Sequence, residues 1–283
     1  MLDLEPFADR TAAIATMHRK EQAIAPILNS LGVKTIVPEN FNTDRFGTFT
    51  REVSRPGTQL EAARLKALAA IKQTGLDLAI ASEGSFTPHP TLPMLPCNRE
   101  LVILIDALHD LEIVGDCIST DTNFNHCSVS NIDEAVIFAN RINFPSHGLI
   151  VIGDQTSTDI IKGITNHDRL HETVGLALAR STTGKIHLET DMRAMYNPTR
   201  MKTIAQATRD LVEKMRSRCP NCLTPGFAMV DRIPGLPCEL CGSPTNSTLA
   251  DQYACQKCGF QQEKRYPDGV FVADPTYCPY CNP

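Results

Sequence analysis

An α/β fold followed by a small cysteine-rich module is what this sequence predicts, and three observations carry that expectation. Over residues 1–218, short strand-like apolar runs alternate with helix-like runs, the order that builds a twisted mixed sheet with flanking helices. Eight of the eleven cysteines fall between Cys219 and Cys281, and all eight come as Cys-x-x-Cys pairs. Helical periodicity gives way to Gly, Pro and Cys after Arg218, which places a boundary between domains 1–218 and 219–283.

Taken in order, Thr11–Thr16 (TAAIAT) reads as a first strand, and a helix follows from about His18 to Leu31 with Ile24, Ile27, Leu28 and Leu31 on one face. Gly32 stops that helix, and Val33–Val37 reads as a second strand. Gln59–Gln73 is Ala-rich and charged, a helix on propensity alone, with Thr58 or Ser54 available as its cap. Leu76–Ala81 (LDLAIA) reads as a buried strand, and the proline-rich stretch from Ser82 to Pro96 reads as a long functional loop. Leu101–Ile105 and Leu111–Cys117 flank a turn and suit a hairpin. Asn131–Asn143 is a helix with Asn131 as cap and Glu134 at the capping-box position. Leu149–Ile152 is a strand, Asp168–Arg180 a helix, Lys185–Thr190 a strand, and Pro198 opens a long basic helix to Arg218.

With 42% hydrophobic and 21% charged residues, the 283-residue chain is neither a disordered tail, a collagen nor a coiled-coil rod. A net charge of −5 argues against a non-specific grip on nucleic acid. Apolar runs such as Leu101–Ile105 are too short to cross a bilayer, and the opening MLDLEPFADR lacks the basic start and apolar stretch of a signal peptide. The expectation is a cytoplasmic protein without membrane association.

In such a compartment paired cysteines point to metal rather than to disulfides. The pairs are Cys219/Cys222, Cys238/Cys241, Cys255/Cys258 and Cys278/Cys281. Each Cys-x-x-Cys turn supplies half of a tetrahedral zinc site, so two structural zinc ions are expected. Two consecutive zinc ribbons are the simplest pairing; interleaved ligation, and an outer with an inner pair, stay open. Residues 219–283 carry four basic and six acidic side chains, so nucleic acid is not the favoured partner. Folding, homodimer contact or docking of a partner suits the module better.

Chemistry in the first domain points to phosphate. Thr16–Lys20 lies between a strand and a helix start, where free backbone N–H groups and the helix dipole favour anions. Thr16 offers a hydroxyl, His18 a donor and Lys20 a cation. Glu83 follows a buried strand, which would deliver its carboxylate to the usual site edge of an α/β domain. With Glu61, and with Glu52 as a further candidate, it could hold magnesium against phosphate oxygens. Lys66, Ser85, Phe86, His89 and Arg200 are the remaining substrate-binding candidates. His126 beside Cys127, and Cys97 with Cys117, lack the base and electropositive setting of a nucleophilic thiol.

Three segments resemble the inosine-triphosphatase-like nucleotide pyrophosphatases, the superfamily that includes the Maf proteins. Thr58-Gln-Leu-Glu61-Ala-Ala63-Arg-Leu-Lys66-Ala67 is similar to its T-x-x-E-N-A-x-x-K-A helix. Ala79-Ile80-Ala81-Ser82-Glu83-Gly84-Ser85-Phe86 is similar to its acidic strand-end turn. Ala15-Thr16-Met17-His18-Arg19-Lys20 stands where the superfamily has its phosphate loop, and Asn197-Pro198-Thr199-Arg200 where it has S-H-R. His18 and Ala62 replace asparagines, and Glu83 stands alone where many members have two acids. The resemblance implies two lobes around a cleft and a metal-dependent hydrolase acting on a nucleoside triphosphate or related phosphorylated nucleotide. The alternative is a non-enzymatic nucleotide- or nucleic-acid-responsive binding protein whose zinc module docks a partner. The whole chain also resembles a bacterial family of unknown function with a T-x-H-x-K-E start, an S-E-G-S-F-x-P-H-P loop and a Cys-rich end; Thr16–Glu21, Ser82–Pro90 and the last 65 residues carry that pattern.

Overall fold

Parallel pairing of three short strands starts the first sheet. In the computed structural model, which describes residues 6–47, 53–154 and 159–283, β1 (Thr11–Ala15) lies between β2 (Lys34–Ile36) and β3 (Leu78–Pro88), parallel to both. β4 (Pro96–Asp106) and β5 (Leu111–Ser119) continue the sheet antiparallel, in the order β2-β1-β3-β4-β5. The fold is therefore mixed α/β, and strand alternation with helices forecast it.

Helix α1 (Glu21–Leu28) begins three residues later than its periodicity suggests, because Arg19 has a positive φ of 58° that a right-handed helix does not admit. Helix α2 (Gln59–Thr74) opens on a complete capping box: Thr58 Oγ1 accepts from Glu61 N, and the Glu61 carboxylate accepts from Thr58 N at 2.6 Å. Its Ala63, Ala67 and Ala70 pack on Ala79, Ala81, Ile103 and Ile105 of the sheet. Small side chains on both partners bring helix and sheet close, so a side chain one turn from them, Lys66, is buried as well.

The stretch from Ser82 to Pro96 is mostly not a loop. β3 runs on to Pro88 and β4 starts at Pro96, paired throughout, so only residues 89–95 form the tip of a long hairpin. Prolines at both strand ends lie where a missing N–H costs no ladder bond.

Two strands were not foreseen: β6 (His126–Val129) and β8 (Ile160–Ile164) join β7 (Leu149–Ile152) and β9 (Ile186–Thr190) in a second, antiparallel sheet of order β6-β9-β7-β8. Helices α3 (Ile132–Arg141) and α4 (His167–Arg180), each capped by an asparagine, Asn131 and Asn166, cover one face. Val129, Leu149, Val151, Ile186 and Leu188 point into that core with Phe138 and Leu170. Helix α5 (Pro198–Arg216) packs directly on β5. A Cβ at Gly115 would lie 2.3 Å from Ala207 O, so only glycine permits the crossing.

By packing, the chain divides into Met1–Val212 and Glu213–Pro283. The boundary falls before Arg218 because the last turn of α5 is tied to the chain beyond it: Gly226 N donates to Lys214 O, and Phe227 N to Ser217 O. In the second unit β10 (Ala228–Pro234), β11 (Thr248–Ala254) and β12 (Gln261–Arg265) form a three-stranded antiparallel sheet. Among the described residues, no helix is long and apolar enough to cross a membrane.

Candidate functional site

A cleft of about 850 Å³ in the first unit is lined by both of its sheets. One wall starts at the carboxyl end of β1. Thr16 is buried there, and its hydroxyl oxygen accepts from His18 N at 3.1 Å. Arg19 has φ of 58°, and Lys20 returns to right-handed geometry at φ −67°, ψ −20°. Successive residues of opposite hand turn their N–H groups to one side, a concavity that accepts anions. The Lys20 side chain turns inward, and Nζ donates to both O and Oγ of Ser82 at 3.0 Å. Burial, reinforced by the positive charges of Arg200 and Lys66, pushes its amine down to about 7.

β3 delivers Glu83 beside that amine, buried to 5% exposure. Lys66 Nζ bonds its Oε1, and Arg55 Nη2 lies 3.6 Å from its Oε2 while donating to Gly84 O at 2.8 Å. Burial alone would push the carboxyl up; Lys66, Lys20 and Arg55 outweigh it and hold Glu83 below the usual carboxylate range. Thr16, His18, Lys20, Lys66, Glu83, Ser85 and Phe86 thus all line one cleft. Ser85 Oγ donates to Gln59 Oε1 at 3.2 Å, and Phe86 stacks on Phe124 with ring centroids 5.3 Å apart. His18 faces Asp44 at 3.3 Å, and burial, with Lys20 next, pushes its imidazole down to about 4.

Three expected residues are placed elsewhere. Glu61 does not join Glu83: its carboxylate is exposed and spent on the cap of α2, so the expected magnesium pair is not formed. Arg200 is internal rather than substrate-facing, with Nε 2.7 Å from Glu100 Oε1, both side chains fully buried. A Cβ at Gly84 would lie 2.3 Å from Glu100 Oε1 and 2.6 Å from Arg200 Nη2, so that pair sits directly against β3. His89 is not in the cleft; its Nδ1 accepts from Thr91 N and Leu92 N and shapes the hairpin tip. Glu52 lies outside the described residues.

The opposite wall is the uncovered face of the second sheet, which sequence reading missed. Ile150, Ile152, His126, His187 and Glu189 occupy it, alternating with the core residues Val151 and Leu188. The alternation of IHLET over Ile186–Thr190 was the available signal: Ile and Leu to one side, His and Glu to the other. At its edge Asp191, fully buried, pairs with Arg193 at 2.6 Å and accepts from Gly163 N.

The cysteines form two groups of four, and the pairing is interleaved rather than consecutive. Cys219 and Cys222 meet Cys255 and Cys258; Cys238 and Cys241 meet Cys278 and Cys281. Each knuckle is closed by the same bond, from the N–H four residues on to the first cysteine's carbonyl, 2.9–3.0 Å in all four. Interknuckle Sγ separations are 3.7 and 3.6 Å in one group and 3.9 and 3.7 Å in the other. A tetrahedron with zinc–sulfur bonds of about 2.3 Å has edges of about 3.8 Å, whereas a disulfide needs about 2 Å. Both donor sets fit zinc, and four thiolates leave no open position, which suits a structural ion. Strands of the three-stranded sheet separate the two knuckles of each group along the chain, so knuckles consecutive in sequence serve different sites.

No curated protein and no solved structure matches the chain. The family model of a domain of unknown function, DUF6671, matches residues 66–283, which takes in β3, the second sheet and all eight paired cysteines but begins beyond the Thr16–Lys20 loop. With that match over most of its length, the chain belongs to the DUF6671 family.

Proposed function

We propose that the cleft binds the phosphate groups of a nucleotide, and that the protein is a hydrolase acting on a nucleoside triphosphate or a related phosphorylated nucleotide. The observation that carries this reading is the gathering of Lys20, Lys66 and Arg55 around a single carboxylate, Glu83, beside the open turn at Arg19–Lys20. Lys20 and Lys66 are buried there, with the more exposed Arg55 at the edge, and buried amines that share one carboxylate are costly to keep charged unless an anion arrives. The stacked Phe86 and Phe124 rings in the same cleft suit a base.

Lys66 keeps Glu83 ionised, the state in which it can take a proton from an attacking water, while Lys20 and Arg55 offset charge on phosphate oxygens. The groups around Glu83 do not suit a resident magnesium ion, because its carboxylate meets Lys66 and Arg55 and not Glu61. The same engagement of Glu83 favours a second reading: a nucleotide-responsive binding protein without turnover, whose cysteine module docks a partner.

Calorimetry with a panel of nucleoside triphosphates, with and without magnesium, together with phosphate and pyrophosphate release, tests both. Lys20→Ala should weaken binding by ~1.5–3 kcal/mol, the size of a hydrogen bond to a charged group. Above pH 7 the Lys20 amine is mostly neutral in the free protein, and a bound anion raises its proton affinity. Binding at pH 8 should therefore take up a proton, and Lys20→Ala should abolish that uptake. Binding without release selects the second reading; absence of binding to any nucleotide overturns both.

A further inference from the structure

The two four-cysteine groups carry their large apolar side chains differently. Around the first, aromatic rings turn inward: Phe227, Tyr253 and Phe260 pack on Cys219 and Cys255 in one small core. Its knuckles enclose Pro220-Asn221 and Gln256-Lys257, and Leu223 stands exposed just after one of them. Around the second, the large side chains turn outward. Leu240 lies inside one knuckle, Tyr280 inside the other and Tyr277 just before it, 68–73% exposed.

Val270, Phe271 and Val272, exposed as well, come from the segment after β12 and lie beside them. Ala273 of that segment is bridged to Cys238; its N–H donates to Pro237 O at 2.8 Å, and its carbonyl accepts from Glu239 N at 3.0 Å. Sγ separations of 3.9 and 3.7 Å between the knuckles hold Leu240 and Tyr280 on the same small body. Exposed apolar side chains gathered in this way mark an interaction site, where single ones do not. Aromatic side chains are also the common anchors of protein interfaces.

Charge says what covers them. Residues 233–249 and 266–283, which carry this group, contain no lysine or arginine but three acids, Glu239, Asp268 and Asp274. Arg232, from the strand before, lies 3.9 Å from Asp268. With zinc bound, four thiolates around one divalent ion add about two further negative charges. That field repels nucleic acid and a second copy of the same face. It attracts a segment that bears lysine or arginine beside apolar side chains.

We propose that the face around Cys238, Cys241, Cys278 and Cys281 docks a basic, apolar-anchored segment of a partner protein, with Leu240, Phe271 and Tyr280 as its contacts. The proposal deepens the reading in which the cysteine module docks a partner, and it does not depend on turnover in the cleft.

The test pans a phage-displayed library of random peptides on the zinc-loaded full-length protein, then measures synthetic copies of the enriched peptides by fluorescence anisotropy. Enriched sequences should carry lysine or arginine around apolar residues. Phe271→Ser and Tyr280→Ser should each weaken binding at least ~10-fold, the effect of losing an interface anchor. Glu239→Lys should weaken it too and flatten its dependence on salt. Leu223→Asn, beside the first group, should leave it unchanged. Elemental analysis showing two zinc ions per chain confirms that each variant is intact, and Leu240→Ser replaces any variant that loses zinc. No enrichment, or enriched peptides that are acidic or uncharged, would overturn the proposal. Basic peptides that bind every variant as tightly as wild type would overturn it too, while leaving the module a docking site through another face. A dimer that Phe271→Ser dissolves in sedimentation, or a single-stranded oligouridine that binds wild type and not Tyr280→Ser, would overturn it by supplying a different occupant.

Discussion

In the unit of residues 213–283, each four-cysteine group that could hold zinc is two short turns brought together by the strands, and every cysteine sits three residues from another of the same group. In the unit of residues 1–212, the cleft takes Lys20 from the loop before α1, Lys66 from the middle of α2, Glu83 from β3 and His187 from β9. The contrast teaches how chemistry is written into a chain. A knuckle carries its geometry in four residues, because the bond closing each turn is local. A cleft carries it in the packing of sheets and helices, and single side chains announce little.

Interleaving is where the contrast can be broken most severely. Cys222→Ser with Cys258→Ser should remove one zinc per chain and leave the Cys238, Cys241, Cys278 and Cys281 group able to bind its own, measured by elemental analysis. Consecutive ribbons would lose both ions. Structural zinc in small modules is worth ~10–16 kcal/mol, so the edited lobe should lose protection in amide exchange while residues 1–212 keep theirs.

A smaller effect tests whether the cleft unit spends a conspicuous charge on structure rather than on ligand. Arg200 and Glu100 form a pair with both side chains fully buried. Removing one partner strands the other, so Arg200→Met should lower stability by ~3–5 kcal/mol in urea unfolding. A variant of native stability with weakened nucleotide binding would return Arg200 to the cleft, where its position at a helix start had suggested it.

The smallest effect sharpens the same point at α2. Thr58→Ala removes half of the capping box and should cost ~1 kcal/mol of stability. Glu61→Gln should leave nucleotide affinity and turnover unchanged, since its carboxylate serves the helix start and not the cleft. Loss of turnover in Glu61→Gln would put that residue back beside Glu83.

How far the cleft could be read in advance depends on the kind of position. Glu83 was legible because the buried apolar run ends there, although β3 itself continues to Pro88 and holds Glu83 within the strand and not at its end. Lys66 was partly legible, lying one turn from Ala62, Ala63 and Ala70 on what became the buried face. Arg55 and Asp44 were not: Arg55 sits on irregular chain and Asp44 opens a single 3-10 turn, both too short of pattern to show which way a side chain points. His187 and Glu189 were hidden by the shortness of β9, five residues whose alternation does not tell which face lines a cleft until β6 and β7 pair with it.

The amino-acid sequence by itself determined the alternation of strands and helices, the caps at Thr58 and Asn131, and the presence of four Cys-x-x-Cys knuckles. These arise from interactions within a few residues, which a linear pattern records. Tertiary structure alone decided which knuckles share a site, that the Pro-rich stretch continues a hairpin, and that Arg200 and Glu61 serve the fold. It also set two histidines and a glutamate opposite the lysines. Those outcomes depend on strand order and on which face of each sheet a helix covers, and burial then decides whether a charge meets a partner, a ligand or water.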